Sequence, residues 1–190
     1  MRSPLKHHVM RLVDFRSRSS SIIVAKLISL VWFALVWGLC NVQSQLLSQE
    51  TIPPDTLITL ERPGCFLGCP DYLLTISADG TVTFEGKANV RVKGKAQTKI
   101  SREKVQLLVA AFVKAKFFSL REQYAFKEDG CRRTWPDSDS AITSIVINGK
   151  SKSVSHYHGC HRKGRISYPR ALSELENKID EVANTDQWIE

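Results

Sequence analysis

His156-Tyr157-His158-Gly159-Cys160-His161 places three imidazoles and one thiol within six residues. Such a run suggests metal chemistry first. Alternate residues of a strand share a face, so His156 and His158 could reach one ion together. Neutral imidazole and thiolate are both good zinc ligands. Against this, no carboxylate lies close in sequence to orient the rings. The spaced Cys/His pairs of familiar zinc modules are also missing. The sequence therefore reads as a strand end with hydrogen-bonding histidines. It predicts no metal and no cofactor, with His156, His158 and His161 kept as the weaker metal candidates.

Other catalytic patterns are incomplete. Asp137 and Asp139 flank Ser138 in a polar stretch beside Trp135. Glycoside hydrolysis needs two positioned carboxylates, and nothing in the sequence positions these; they read as a surface loop. No Gly-x-Ser-x-Gly elbow and no phosphate-cradling glycine loop occurs. No residue is assigned a catalytic role, and the reading leans away from an enzyme.

The N-terminus bears on the cysteines. Of the net charge of +8, residues 1–44 carry +5 and residues 45–190 only +3. The excess sits beside Leu27–Cys40, fourteen residues without a charge. A helix of that length spans about 21 Å, short of the roughly 30 Å hydrocarbon core. A basic start, a short apolar run and an exit at Val42-Gln43-Ser44 describe a secretory signal peptide over residues 1–44, leaving Gln45 first. An uncleaved anchor from about Ile22 to Cys40, with Lys26 snorkelling, is the alternative. Either way the C-terminal part is exported, to a bacterial periplasm or cell envelope, and it is held at the inner membrane only if the leader stays. The residual charge gives no case for nucleic acid.

Export makes disulfides the default. Cys65, Cys69, Cys131 and Cys160 allow three pairings. Locality suggests Cys65–Cys69 and Cys131–Cys160. The three-residue spacing of Cys65 and Cys69 departs from the two-residue thioredoxin motif, so a staple is preferred to a redox centre.

The elements that must position these residues follow from periodicity. Residues 45–55 read as a linker and residues 56–190 as a single domain. Thr56–Glu61 looks like a first strand. Tyr72–Ser77 and Thr81–Glu85 flank Ala78-Asp79-Gly80. A three-residue turn with Gly80 left-handed pairs Ile76 with Val82 and Leu74 with Phe84, placing apolar residues on one face. Val90 and Val92 alternate with Arg91 and Lys93 and are expected to continue the sheet. Ser101 caps a helix whose buried stripe is Val105, Leu108, Phe112, Ala115 and Phe118. Asn148-Gly149 between two β-rich runs signals a hairpin. Pro169 opens a second helix with the stripe Leu172, Leu175, Ile179 and Val182, and Trp188-Ile189 fold back as an anchor. The fold class is α+β: an antiparallel sheet of hairpins with two amphipathic helices packed on one face.

A resemblance enters here. Leu60-Glu61-Arg62-Pro63-Gly64-Cys65-Phe66-Leu67-Gly68-Cys69-Pro70-Asp71-Tyr72, followed by Leu74-Thr75-Ile76, Asp79-Gly80-Thr81-Val82 and Gly86, resembles a bacterial domain-of-unknown-function family, number 6438. That family's pattern runs acid-Arg, Cys, Phe-Gly-x-Cys-Pro, Tyr. Here Leu67 and Gly68 fill the Gly-x pair, so the glycine falls one place later. The likeness extends to Phe117-Phe118, Asn148-Gly149-Lys150, His156-Tyr157-His158-Gly159 and Asp186-Gln187-Trp188, and covers most of residues 56–189. It implies export and carries over no catalytic residue.

The function read from the sequence is a non-catalytic binding or interaction module of the cell envelope. Its contact surface is expected at the Cys65–Cys69 loop and the loop around Arg132–Ser140. The residues named are Glu61, Arg62, Phe66, Arg132, Arg133 and Trp135. Glu61 and Arg62 are expected to pair and orient the cysteine loop. The partner would be an envelope protein or an anionic envelope polymer. Basic residues Lys87, Arg91, Lys93, Lys95 and Lys99, and a second group, Arg162, Lys163 and Arg165, read as solvated faces or as weak sites for such a polymer. Two alternatives stand: a metal- or thiol-dependent enzyme using His156, His158 and Cys160 or His161, and a membrane-anchored structural envelope protein.

Overall fold

The computed structural model describes residues 51–164 and 166–189. The expected leader at 1–44, residues 45–50 of the expected linker, and Arg165 lie outside the described residues. No helix among the described residues is long and apolar enough to cross a membrane.

Nine strands and three α-helices follow one another among the described residues: β1 (Leu57–Arg62), β2 (Asp71–Ser77), β3 (Thr81–Ala88), β4 (Gly94–Lys99), α1 (Arg102–Lys114), β5 (Gln123–Tyr124), β6 (Arg133–Thr134), β7 (Ser140–Ile147), β8 (Lys150–Tyr157), β9 (Cys160–His161), α2 (Arg170–Ala183) and α3 (Asp186–Ile189). Seven strands form one sheet in the order β4-β3-β2-β1-β7-β8-β5, while β6 and β9 form a separate pair. All the sheet's pairings are antiparallel except the two-residue β5, which runs parallel to β8. The protein is α+β.

Period-two burial builds the core. Ile58, Leu60, Leu74, Ile76, Val82, Phe84, Ile145 and Val154 all point to one buried face. The Ala78-Asp79-Gly80 turn gives the apolar register, with Ile76 opposite Val82 and Leu74 opposite Phe84. Gly80 is left-handed at φ +82°. At the other hairpin Asn148 (φ 52°) and Gly149 (φ 69°) are both left-handed, as a two-residue turn requires. Asp55 accepts the amides of both, at 3.1 and 2.7 Å. Ile52 is buried as well. Thus the last residues before β1 are seated on the domain.

The helices join the same core. Ser101 caps α1 and accepts from the Lys104 amide. Val105, Leu108 and Phe112 are buried, but the helix stops at Lys114 and Lys116 turns left-handed. A short 3₁₀ turn over Phe117–Ser119 then buries Phe117 and leaves Phe118 exposed, so the predicted stripe ends one residue off. In α2 the stripe Leu172, Leu175, Ile179 and Val182 is buried throughout. Trp188 of α3 folds back onto Phe84 with ring centroids 4.9 Å apart.

Val90 and Val92 differ from expectation. Asn89 takes φ 51°, residues 89–92 form a bend, and Lys93 lies outside any strand. The amides of Arg91 and Val92 donate to the carbonyls of Ile189 and Trp188 at 3.3 and 3.0 Å. The alternation of Arg91, Lys93 and Lys95 therefore does not run along one strand, and the Arg91 side chain instead donates to the Gln187 carbonyl. Gly86 makes the crossing possible, because a Cβ there would sit 2.1 Å from the Val92 carbonyl oxygen. Gly86→Ala is accordingly expected to cost about 1–3 kcal/mol in chemical denaturation, as overpacking does. Unchanged stability would contradict this packing.

Candidate functional site

β1 carries its buried face past Leu60 to Arg62, and register places Arg62 opposite Tyr72 of β2. Both side chains therefore rise on the side where α2 lies. Arg62 donates through Nε and Nη2 to Oδ2 of Asp180, at 3.2 and 2.8 Å. Tyr72 donates its hydroxyl to Oδ1 of the same carboxylate at 2.7 Å. Burial, and then the Asp180 charge, push the Tyr72 phenol well above its ordinary value, so it remains a donor. Glu61 points to the opposite face, where it pairs with Lys87 at 2.6 Å. Glu61 and Arg62 thus do not form the expected pair; neighbouring residues of a strand face opposite ways.

A second part of the site comes from the end of β8. His156 lies opposite Ala141 of β7 and is fully buried, as is Glu176 of α2. The Glu176 carboxylate accepts from His156 Nδ1 at 3.0 Å and from His158 Nε2 at 2.8 Å. His158 Nδ1 donates to Asp139 at 2.6 Å. At the far side of His156, Nε2 accepts from the Ser167 hydroxyl at 2.7 Å. These roles follow from the carboxylate being able only to accept. Arg62 Nη1 approaches Asp139 at 3.9 Å and links the two parts. A chain of polar groups thus runs Tyr72–Asp180–Arg62–Asp139–His158–Glu176–His156–Ser167.

Electrostatics follow from this chain. Burial of the His158 ring opposes its charge, but the hydrogen bonds to Asp139 and Glu176 and their charges outweigh that and raise it to about 9. Burial likewise opposes ionisation of Glu176, yet the bonds from His156 and His158 hold it below its ordinary value. The His158 bond, against partial burial, lowers Asp139. A raised histidine stabilises the fold fully below its unfolded value near 6.5 and loses that contribution as pH rises through about 9. Lowered carboxylates stabilise above their ordinary values of 3.8 and 4.5 and lose it as pH falls below them. Stability is therefore expected to peak between about pH 5 and 6.5. It should fall on both sides, when denaturation is followed in chelator so that no ion competes with protons for the rings. A midpoint that stays flat from pH 6 to pH 9 would contradict this.

Around this network lies a cavity of about 350 Å³. Its wall includes Arg62, Tyr72, Asp139, His158 and Asp180, with Asn177 and the Cys69-Pro70 end of the cysteine loop. Cys65 and Cys69 are bonded to each other, as are Cys131 and Cys160. The two loops named from the sequence therefore border the same cavity, through Cys69 and through Asp139-Ser140. The other named residues sit elsewhere. Phe66 is 93% exposed at the tip of its loop. The Trp135 ring lies tilted against His161 with centroids 4.5 Å apart, and it borders a separate, more apolar cavity of about 540 Å³ with Phe126, Pro136 and Tyr157. Arg132 and Arg133 are exposed beside the β6–β9 pair.

Two parts of the histidine cluster leave it. Cys160 is oxidised, so it offers no thiolate, and every described cysteine is in a disulfide. His161 turns away and engages the Ile166 carbonyl at 3.1 Å. Ser167–His156–Glu176 has the order of a nucleophile, base and acid. The base has no exposed surface, however, and the Ser167 hydroxyl serves to hold the ring. Sequence reasoning missed Glu176, Asp180, Asp139, Tyr72 and Ser167 as site residues. One signal was present: Glu176 falls on the α2 stripe, four residues after Leu172 and three before Ile179. An acid on a buried stripe needs a partner.

No curated protein matches the chain. The family described as a domain of unknown function (DUF6438) matches residues 56–183, well over half the sequence and every residue of the polar chain. The protein belongs to that family.

Proposed function

We propose that this protein is an exported, non-catalytic binding module of the bacterial cell envelope. Its ligand-binding site is the cavity walled by Arg62, Tyr72, Asp139, His158 and Asp180. One observation carries the reading: side chains of both charge signs, fixed by mutual hydrogen bonds, border a cavity of about 350 Å³ beneath a disulfide-closed loop. Held charges of both signs suit a small polar or zwitterionic group, either a free envelope metabolite or the end of an envelope protein chain. Export is supported by the leader-like N-terminus and by the two disulfides. Against a thiol enzyme stand the paired cysteines; against an acyl-transfer enzyme stands the buried His156.

Asn177 is exposed and borders the cavity from α2. Asn177→Trp should fill the cavity while leaving the polar chain intact. Amide spectra of the protein mixed with small zwitterionic probes, such as free amino acids and dipeptides, should shift at Arg62, Asp139 and His158. The shifts should vanish in Asn177→Trp. Shifts confined to other surfaces, or persisting unchanged in the variant, would place binding elsewhere.

A further inference from the structure

We propose that His156 Nδ1, His158 Nε2 and the Glu176 carboxylate form a site for one divalent transition-metal ion, with zinc the best match. The three donor atoms come from two elements and lie within 4.8 Å of one another. His156 and His158 share a face at the end of β8, and α2 lowers Glu176 onto it. Two imidazoles and one carboxylate are a common ligand set for zinc and its first-row neighbours.

What surrounds the three groups points the same way. Each imidazole has a partner on its other nitrogen: Asp139 at 2.6 Å from His158 Nδ1, and Ser167 at 2.7 Å from His156 Nε2, which takes up the ring proton and donates to the Ser167 hydroxyl oxygen once Nδ1 binds the ion. Metal-bound histidines usually have such outer partners, which fix ring orientation and strengthen the donor atom. The Glu176 contacts are now 2.8 to 3.0 Å. Bonds of about 2.0–2.2 Å at tetrahedral angles separate ligands by about 3.4 Å, so each His–Glu176 pair needs to open by about half an ångström, while all three donors already lie within 4.8 Å of one another. His156 and Glu176 are fully buried, and a dry site strengthens attraction to an ion. His158 borders the 350 Å³ cavity, which supplies an entry path and room for a fourth ligand such as water. The absence of a sequence-adjacent carboxylate, which counted against metal binding in the sequence, is met by Asp139 and Glu176 from distant parts of the chain. The inference does not depend on what the cavity binds.

The competing account is a metal-free His–Glu–His bridge, in which the three groups satisfy one another. The full chain, recovered from the envelope fraction and stripped with a chelator, should be titrated with Zn²⁺ alone and with Co²⁺ as a spectroscopic probe. The expected result is one equivalent of Zn²⁺, and Co²⁺ d–d bands of a nitrogen–oxygen site. His158→Ala should abolish both. Asp139→Asn leaves all three ligands in place and changes the outer partner of His158, on a half-exposed side chain, and should weaken binding about ten- to a hundredfold. If His158→Ala fails to fold, Asp139→Asn decides alone. Absence of stoichiometric binding would overturn the proposal. So would equal affinity in the wild type and in Asp139→Asn, since the ion would then sit elsewhere.

Discussion

Glu176→Ala is expected to destabilise the domain by about 3–5 kcal/mol, the range for removing one member of a buried, hydrogen-bonded ionic group. The carboxylate has no solvent exposure and accepts from two imidazoles. Its loss leaves the His156 and His158 nitrogens without an acceptor in a dry space, and it opens a cavity under α2. Glu176→Gln should cost less but still measurably, since its amide group sets a donor against a donor. Urea denaturation in chelator, with the m-value unchanged, reads both. A loss under about 1 kcal/mol for the alanine variant would be that of a surface acid, and would show that the network is not formed.

The double variant Cys131→Ser/Cys160→Ser should lose about 3–4 kcal/mol, from freeing a loop of about 30 residues in the unfolded chain. The corresponding change at Cys65 and Cys69 closes a far shorter loop and should lose about 2 kcal/mol. Burial widens the difference: Cys131 and Cys160 are 3% and 0% exposed. The 131–160 bond also joins β9 to the residue two before β6, where the Trp135 amide donates to Gly159 and the Arg132 amide to His161. Amide exchange at Arg132 and Trp135 should therefore quicken in that variant and stay slow in the other. Equal losses, or a larger loss at 65/69, would contradict this ordering.

Local chemistry made much of the fold legible. The Ala78-Asp79-Gly80 register and the Asn148-Gly149 turn were readable because turn residues and a period of two constrain each other within a few positions. The α2 stripe was readable for the same reason. Phe118 went wrong because the helix ends at a left-handed Lys116, which no glycine announces. Val90 and Val92 went wrong because the amides of Arg91 and Val92 are taken by α3, almost a hundred residues away. The site was less legible still. Arg62 meets Asp180 across 118 positions, and Glu176 meets His156 across 20. Strand alternation alone placed His156 and His158 together. It could not show that two acids from other segments arrive between and beside them. The local Glu61–Arg62 pair failed on the same alternation, which sends adjacent side chains to opposite faces.

The binding account is tested most directly by mass. The protein should be recovered from the envelope fraction without reductant, and its native mass compared with its denatured mass. The account predicts a chain lighter by about 2 mass units for each of two disulfides. In the native state it should carry a discrete small-molecule increment beyond any single metal ion, and that increment should be missing from Asn177→Trp. A reduced chain confined to the cytosol, or an increment retained in full by Asn177→Trp, would contradict it.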